Sequence, residues 1–155
     1  MKFLLILTGC FFLGYQFRGQ DGLPATRPND FSLNYDVDGG MRYYSENLLI
    51  SKDSCIYDKN NGSKKIKNKF SLSKPEMDAL YDMLKQNKFG KIEFRTEEEV
   101  YDRGGISIRT SWDKGKKELD VSNAQRSFVK DKWSKEWQAI CSNLTALVQK
   151  KTADL

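Results

Sequence analysis

The chain has 155 residues, 39% hydrophobic and 30% charged, and its 26 Lys+Arg against 21 Asp+Glu leave a formal net charge of +5. Those proportions exclude a membrane-spanning bundle and a disordered tail, and the length fits one domain. Histidine is absent, which removes Ser-His-Asp and Cys-His catalysis and the common zinc sites.

The chain opens on an address. Lys2 is followed by an uncharged run from Phe3 to Phe17, apolar to Leu13 apart from Thr8 and Gly9. The run is shorter than the ~18 residues of a spanning helix and has no amphipathic period, so residues 1–19 read as a secretory signal. No clean small-x-small pair ends it, and Gly19 before Gln20 is the candidate cleavage point. The rival is a buried N-terminal strand or helix. Leu7-Thr8-Gly9-Cys10 matches the bacterial lipoprotein box, in which Cys10 would carry lipid. The short apolar run before Thr8 and Phe11-Phe12-Leu13 after the Cys depart from that pattern. Simple export is the leading expectation, and a membrane anchor at Cys10 is the alternative. Removal of residues 1–19 takes away Lys2 and Arg18 and leaves +3, too mild a charge to argue for nucleic acid. Residues 20–30, with Gly22, Pro24 and Pro28, read as a linker. Residues 31–155 are then a single domain.

Phe31, Leu33, Tyr35 and Val37 alternate with polar residues, the period of a half-buried strand. Asp38-Gly39-Gly40 turns the chain. Tyr44, Leu48 and Ile50 share the parity of a second strand, closed by Lys52-Asp53. A third carries Cys55 and Tyr57. Asn60-Asn61-Gly62-Ser63 is the clearest turn. A fourth strand puts Ile66, Phe70 and Leu72 on one face and Lys65, Lys67, Lys69 and Ser71 on the other. Ser73 and Glu76 form a capping box, Leu72 and Met77 fit a hydrophobic staple, and Met77, Leu80, Tyr81 and Leu84 recur with helical period. Gly90 is the expected stop. Ile92 and Phe94 start a short strand, and Glu97-Glu98-Glu99 is a solvated acidic loop. Ile106, Ile108 and Trp112 face one way on the next strand. Asp113-Lys114-Gly115 turns into a partner strand with Leu119 and Val121. A long final helix carries Trp133, Trp137, Ile140, Cys141, Leu144, Leu147 and Val148. The expectation is an α+β fold: a largely antiparallel sheet of about seven short strands, two helices packed on one face and the other face solvated.

Three features could carry chemistry. Cys55 and Cys141 both fall at core positions, and in an oxidising compartment two thiols that meet will pair. Two separate buried thiols are the equal alternative. A catalytic Cys is disfavoured, since no His can activate it. Asn34-x-Asp36-x-Asp38-Gly39 has the opening spacing of a calcium loop, but Ser45 stands at the twelfth position and the segment reads as a strand, so no metal is expected. Met41-Arg42-Tyr43-Tyr44 follows the Gly-Gly turn, and Met, Arg and Tyr are the residues that interface cores enrich. The bland reading makes this the start of the second strand, with Tyr43 on its surface. Lys64, Lys65, Lys67 and Lys69 read as a solvated edge that blocks sheet pairing. Asn61-Gly62-Ser63 and Asn143-Leu144-Thr145 are glycosylation sequons on paper.

The pattern of a strand, Asp38-Gly39-Gly40, a helix opening Leu72-Ser73-Lys74-Pro75-Glu76, and a later strand after Tyr101-Asp102 resembles small exported bacterial domains of unknown function. It is loosely similar to emfourin, a small proteinaceous inhibitor of thermolysin-like metalloproteases. The resemblance covers about residues 31–112, and the Trp-bearing final helix falls outside it. It implies an inhibitor-like, non-catalytic binding module and transfers no inhibitory residue.

The functional expectation is an exported, non-catalytic module, periplasmic or extracellular, that needs no cofactor and binds a protein partner. Gly39, Gly40, Met41, Arg42 and Tyr43 are the candidate contact surface. The Asp and Glu residues fall mostly on outward faces and loops, which disfavours the alternative of a hydrolase built on a carboxylate pair. A structural envelope role is the remaining alternative.

Overall fold

In the computed structural model, residues 22–153 are described apart from 42 and 101. Residues 1–19, where a signal is expected, and Cys10 therefore lie outside the described residues. Eight strands and two helices follow in the order β1 (Ser32–Asp38), β2 (Ser45–Ile50), β3 (Cys55–Asn60), β4 (Lys65–Phe70), α1 (Lys74–Gln86), β5 (Phe94–Thr96), β6 (Gly105–Trp112), β7 (Lys117–Asn123), β8 (Ser127–Val129) and α2 (Ser134–Thr152). Short 3-10 turns at Phe89–Lys91 and Asp131–Trp133 join them. The α+β class and the antiparallel sheet agree with the periodicity. The additional strand, β8, holds only Ser127, Phe128 and Val129, too few residues for a period to show.

Six strands form one antiparallel sheet in the order β4-β3-β2-β1-β6-β7, and β5 pairs with β8 in a separate ribbon. β1 and β6 are neighbours although α1 and β5 lie between them in sequence. The register sets side chains in rows across the sheet. Phe70, Cys55, Ile50, Leu33, Thr110 and Leu119 form one row, and Tyr57, Leu48, Tyr35, Ile108 and Val121 belong to the next on the same face. Against this face pack Met77, Leu80, Tyr81 and Leu84 of α1 and Trp137, Ile140, Leu144 and Val148 of α2, in one buried cluster. Alternation turns the intervening residues to solvent.

α1 starts where the capping box places it: Ser73 Oγ accepts from the Glu76 N–H at 3.4 Å and Glu76 Oε2 accepts from the Ser73 N–H at 2.8 Å. Its end differs from expectation. The helix stops at Gln86, Asn87 Nδ2 donates to the Met83 carbonyl, and Lys88 takes the left-handed conformation at φ 52°. Gly90 lies in the following 3-10 turn and terminates nothing. Trp133 likewise sits in the 3-10 turn before α2 rather than on the helix. Ile92 is buried but precedes β5.

Residues 22–30, read from sequence as part of a linker, hold no regular element and are fastened to α1. Leu23 is fully buried in the core, Tyr81 Oη donates to the Pro24 carbonyl at 2.8 Å, Lys85 Nζ donates to Ala25 at 2.7 Å, and Arg27 pairs with Asp78 at 2.8 Å. One isolated leucine has no period, so its burial was not visible in sequence.

Candidate binding surface at the loop end of the sheet

Antiparallel pairing gathers the β1–β2 loop, the β3–β4 turn, the segment before β6 and the β7–β8 turn at one end of the sheet. The β1–β2 loop is closed by the Gly39 N–H donating to the Tyr44 carbonyl at 2.8 Å, and Asp38 Oδ1 accepts from the Gly40 N–H at 2.8 Å. Gly40 has φ +62°. A Cβ on it would overlap the Asp102 carbonyl and the Gly104 nitrogen, and a Cβ on Gly104 would overlap the Asp38 carbonyl. The close backbone approach that Gly-Gly permits is thus used inside the chain, between this loop and residues 102–104.

With the backbone held, the side chains beyond it stand out. Met41 is 86% exposed and Tyr43 78% exposed, the two most exposed large apolar side chains among the described residues. Tyr43 lies within van der Waals reach of Gly62 in the β3–β4 turn. Arg42 lies outside the described residues. Beside Gly40 and Met41 opens a recess of about 390 Å³ that Val100, Arg103 and Arg126 also line. Both arginines are held by backbone carbonyls: Arg103 donates to Gln125 at 3.2 Å and Ser127 at 2.6 Å, and Arg126 to Glu97 at 3.1 Å and Glu98 at 2.9 Å. The Arg103 guanidinium also lies 3.9 Å from the Phe128 ring centre, a cation–π contact. Arg103 and Arg126 carry no local sequence signal, because only the β7–β8 turn brings them to Gly40.

On the helix side of the same end, Glu46 accepts from Tyr44 Oη and pairs with Lys59 at 2.7 Å. Lys59 lies 5.3 Å from the Tyr44 ring centre. Burial raises the Glu46 carboxyl, but the Lys59 and Tyr44 hydrogen bonds outweigh it and the net shift is downward. Burial, reinforced by the Glu46 charge, pushes the Tyr57 phenol up. These groups lock β2 to β3.

The cysteines do not pair. Cys55 is buried and Cys141 half-buried, and both are free thiols. Cys55 sits on β3 between Ile50 and Phe70 of the neighbouring strands, whereas Cys141 is carried on α2. Burial drives the Cys141 thiol up to about 12 and raises Cys55 as well, the opposite of what a nucleophilic thiolate needs.

The calcium-like spacing is laid out along β1. Asn34 donates to Asp36 at 2.6 Å, Asn47 donates to Asp36 and to Asn34, and Asp38 serves Gly40. The strand spaces alternate residues ~6.5–7 Å apart along the backbone, and the side chains of Asn34 and Asp36 are spent on each other and on Asn47 instead of wrapping round an ion. Among the described residues no group of three or more His, Cys, Asp or Glu is placed to hold a metal. Lys65, Lys67 and Lys69 point away from the core on edge strand β4, and Lys67 approaches Asp58 at 3.6 Å. Every carboxyl with a resolved displacement is displaced downward: Glu46 by Lys59 and Tyr44 despite burial, Glu76 by Lys151 and Ser73, Glu93 by Lys130 and Lys132, Asp78 by Lys74 and Arg27, and Asp30 by the Lys114 N–H.

The fold and this surface define an α+β domain with a covered sheet face, a polar sheet face and an aromatic, sulfur-bearing tip at the loop end. Comparison with known proteins finds no matching family model and no matching curated protein.

Proposed function

We propose that the chain is an exported, non-catalytic protein-binding module, inhibitor-like in mode, that meets its partner with the loop end of the sheet through Gly39, Gly40, Met41, Arg42 and Tyr43. The observation that carries the reading is the exposure of Met41 and Tyr43 on a loop whose backbone is braced by Asp38, Gly104 and Tyr44. A backbone already braced at Gly39 and Gly40 and a Tyr side chain with two χ angles lose little freedom on binding, while Met41 adds adaptable apolar area. The non-catalytic part is supported by the carboxyls. A hydrolytic pair needs one member pushed up as an acid, and each displaced carboxyl here is pushed down.

The test is affinity capture of the partner from the native envelope or secretome, followed by binding measurements. Replacing Arg42 and Tyr43 together by Ala weakens the complex by about 2 kcal/mol or more if these residues are anchors. Unchanged affinity in that variant, with loss on changing Lys65, Lys67 and Lys69 to Glu, moves the contact to the β4 face and makes it salt-sensitive. Export is checked separately. The mature product begins near Gln20, retention of Met1 refutes the signal, and fatty-acid labelling at Cys10 replaces simple export by a lipid anchor.

A further inference from the structure

A second recess, of about 610 Å³, covers the loop-end half of β1 to β4, within the roughly 300–1,000 Å³ typical of small-ligand sites. Two rows of its lining, which include Asp36, Asn47 and Asp58 and, next along, Asp38, Ser45 and Asn60, belong by strand alternation to the face away from the helices. The same alternation turns Val37 and Ile66 to the helix side, so no aliphatic side chain projects into the polar rows.

We propose that this recess is a binding site for a neutral, polyhydroxylated ligand of saccharide size. Three observations favour that chemistry. First, charges of both signs are mixed on the face of the recess: Lys67 approaches Asp58 at 3.6 Å, and Lys65 stands in the same row as Asp38. No uniform field is left to hold a phosphate or a polycation. Second, part of the polar surface is set in advance. Asn47 is fixed by its bonds to Asn34 and Asp36, with its amide oxygen left over. Third, the groups without a partner among the described residues include both donors and acceptors. The Asn60 amide nitrogen and the Lys65 ammonium can donate, the Ser45 hydroxyl can do either, and one Asp38 oxygen can accept. A hydroxyl donates and accepts at once, so a polyol satisfies both kinds while a simple anion or cation satisfies one.

The site is separate from the protein-contact tip, and its test does not depend on that reading. The isotope-labelled full chain is titrated by NMR with neutral mono- and disaccharides of glucose, galactose, mannose and N-acetylglucosamine, and in parallel with inorganic phosphate. The expected result is saturating shifts at the Asn47 and Asn60 side-chain amides with at least one sugar, unchanged by added NaCl. Asn60→Ala weakens that binding about tenfold or more, Lys65→Ala, at an exposed edge position, weakens it without disturbing the fold, and Met41→Ala leaves it unchanged. Absence of any saturating shift up to ~50 mM sugar, shifts confined to residues outside the recess, full affinity in both the Asn60 and Lys65 variants, or binding of phosphate in preference to every sugar overturns the proposal.

Discussion

A methyl group at Gly40 has nowhere to go. The residue sits at φ +62°, and its missing side chain is where the Asp102 carbonyl and Gly104 nitrogen pass. Gly40→Ala therefore adds left-handed strain to a backbone collision and is expected to cost at least about 2 kcal/mol, read as a lowered midpoint in urea denaturation. Thr110 is the opposite case. It is fully buried between Leu33 and Leu119 across the sheet, and its hydroxyl has no hydrogen-bond partner. Valine keeps the shape and removes the orphaned hydroxyl, so Thr110→Val is expected to raise stability by about 1 kcal/mol, seen as a higher thermal midpoint. The alternation of β6 marked position 110 as inward-facing. Nothing in the sequence said that its hydroxyl would find no acceptor, because that depends on which strands flank β6.

At the scale of elements, the two helices are joined where α1 begins. Glu76 closes the capping box with Ser73 and also pairs with Lys151 of α2 at 2.8 Å. The Lys151 ammonium and the Ser73 donors hold its carboxyl down to about 2 against an ordinary 4.5. A carboxyl held down stabilises the fold in its ionised form, so the contribution is complete above pH 4.5 and disappears as the pH falls towards 2. Glu76→Gln is expected to lower stability at neutral pH and to flatten its decline between pH 4.5 and 2, measured by denaturant midpoints across that window. An unaltered acid limb in the variant would remove Glu76 from the account. Half of this arrangement was legible: Ser73-x-x-Glu76 is a local signal, while the partner 75 residues further on is brought in by packing.

For the whole molecule, the segment before β1 behaves as a strap along α1. Leu23 fills the core, and Pro24, Ala25 and Arg27 are each bonded to the helix. Leu23→Ala is expected to cost about 2–5 kcal/mol, the range for a leucine removed from a packed interior, with the denaturation midpoint as readout. A change below about 0.5 kcal/mol would place residues 22–30 outside the cooperative unit. Local period and turn chemistry were enough to place most strands, both helices and the covered and solvated faces, because a strand or helix that buries one side must repeat its apolar residues at two or 3.6. Long-range geometry decided the rest. It set β6 beside β1, drew an aperiodic leucine into the core, and left Cys55 and Cys141 as separate thiols. It also spent the conformational freedom of Gly40 on residues 102–104 of the chain itself, leaving Met41 and Tyr43 exposed at the tip. Each of these rests on contacts between segments far apart in sequence, and no local pattern encodes which distant backbone will arrive at a given residue.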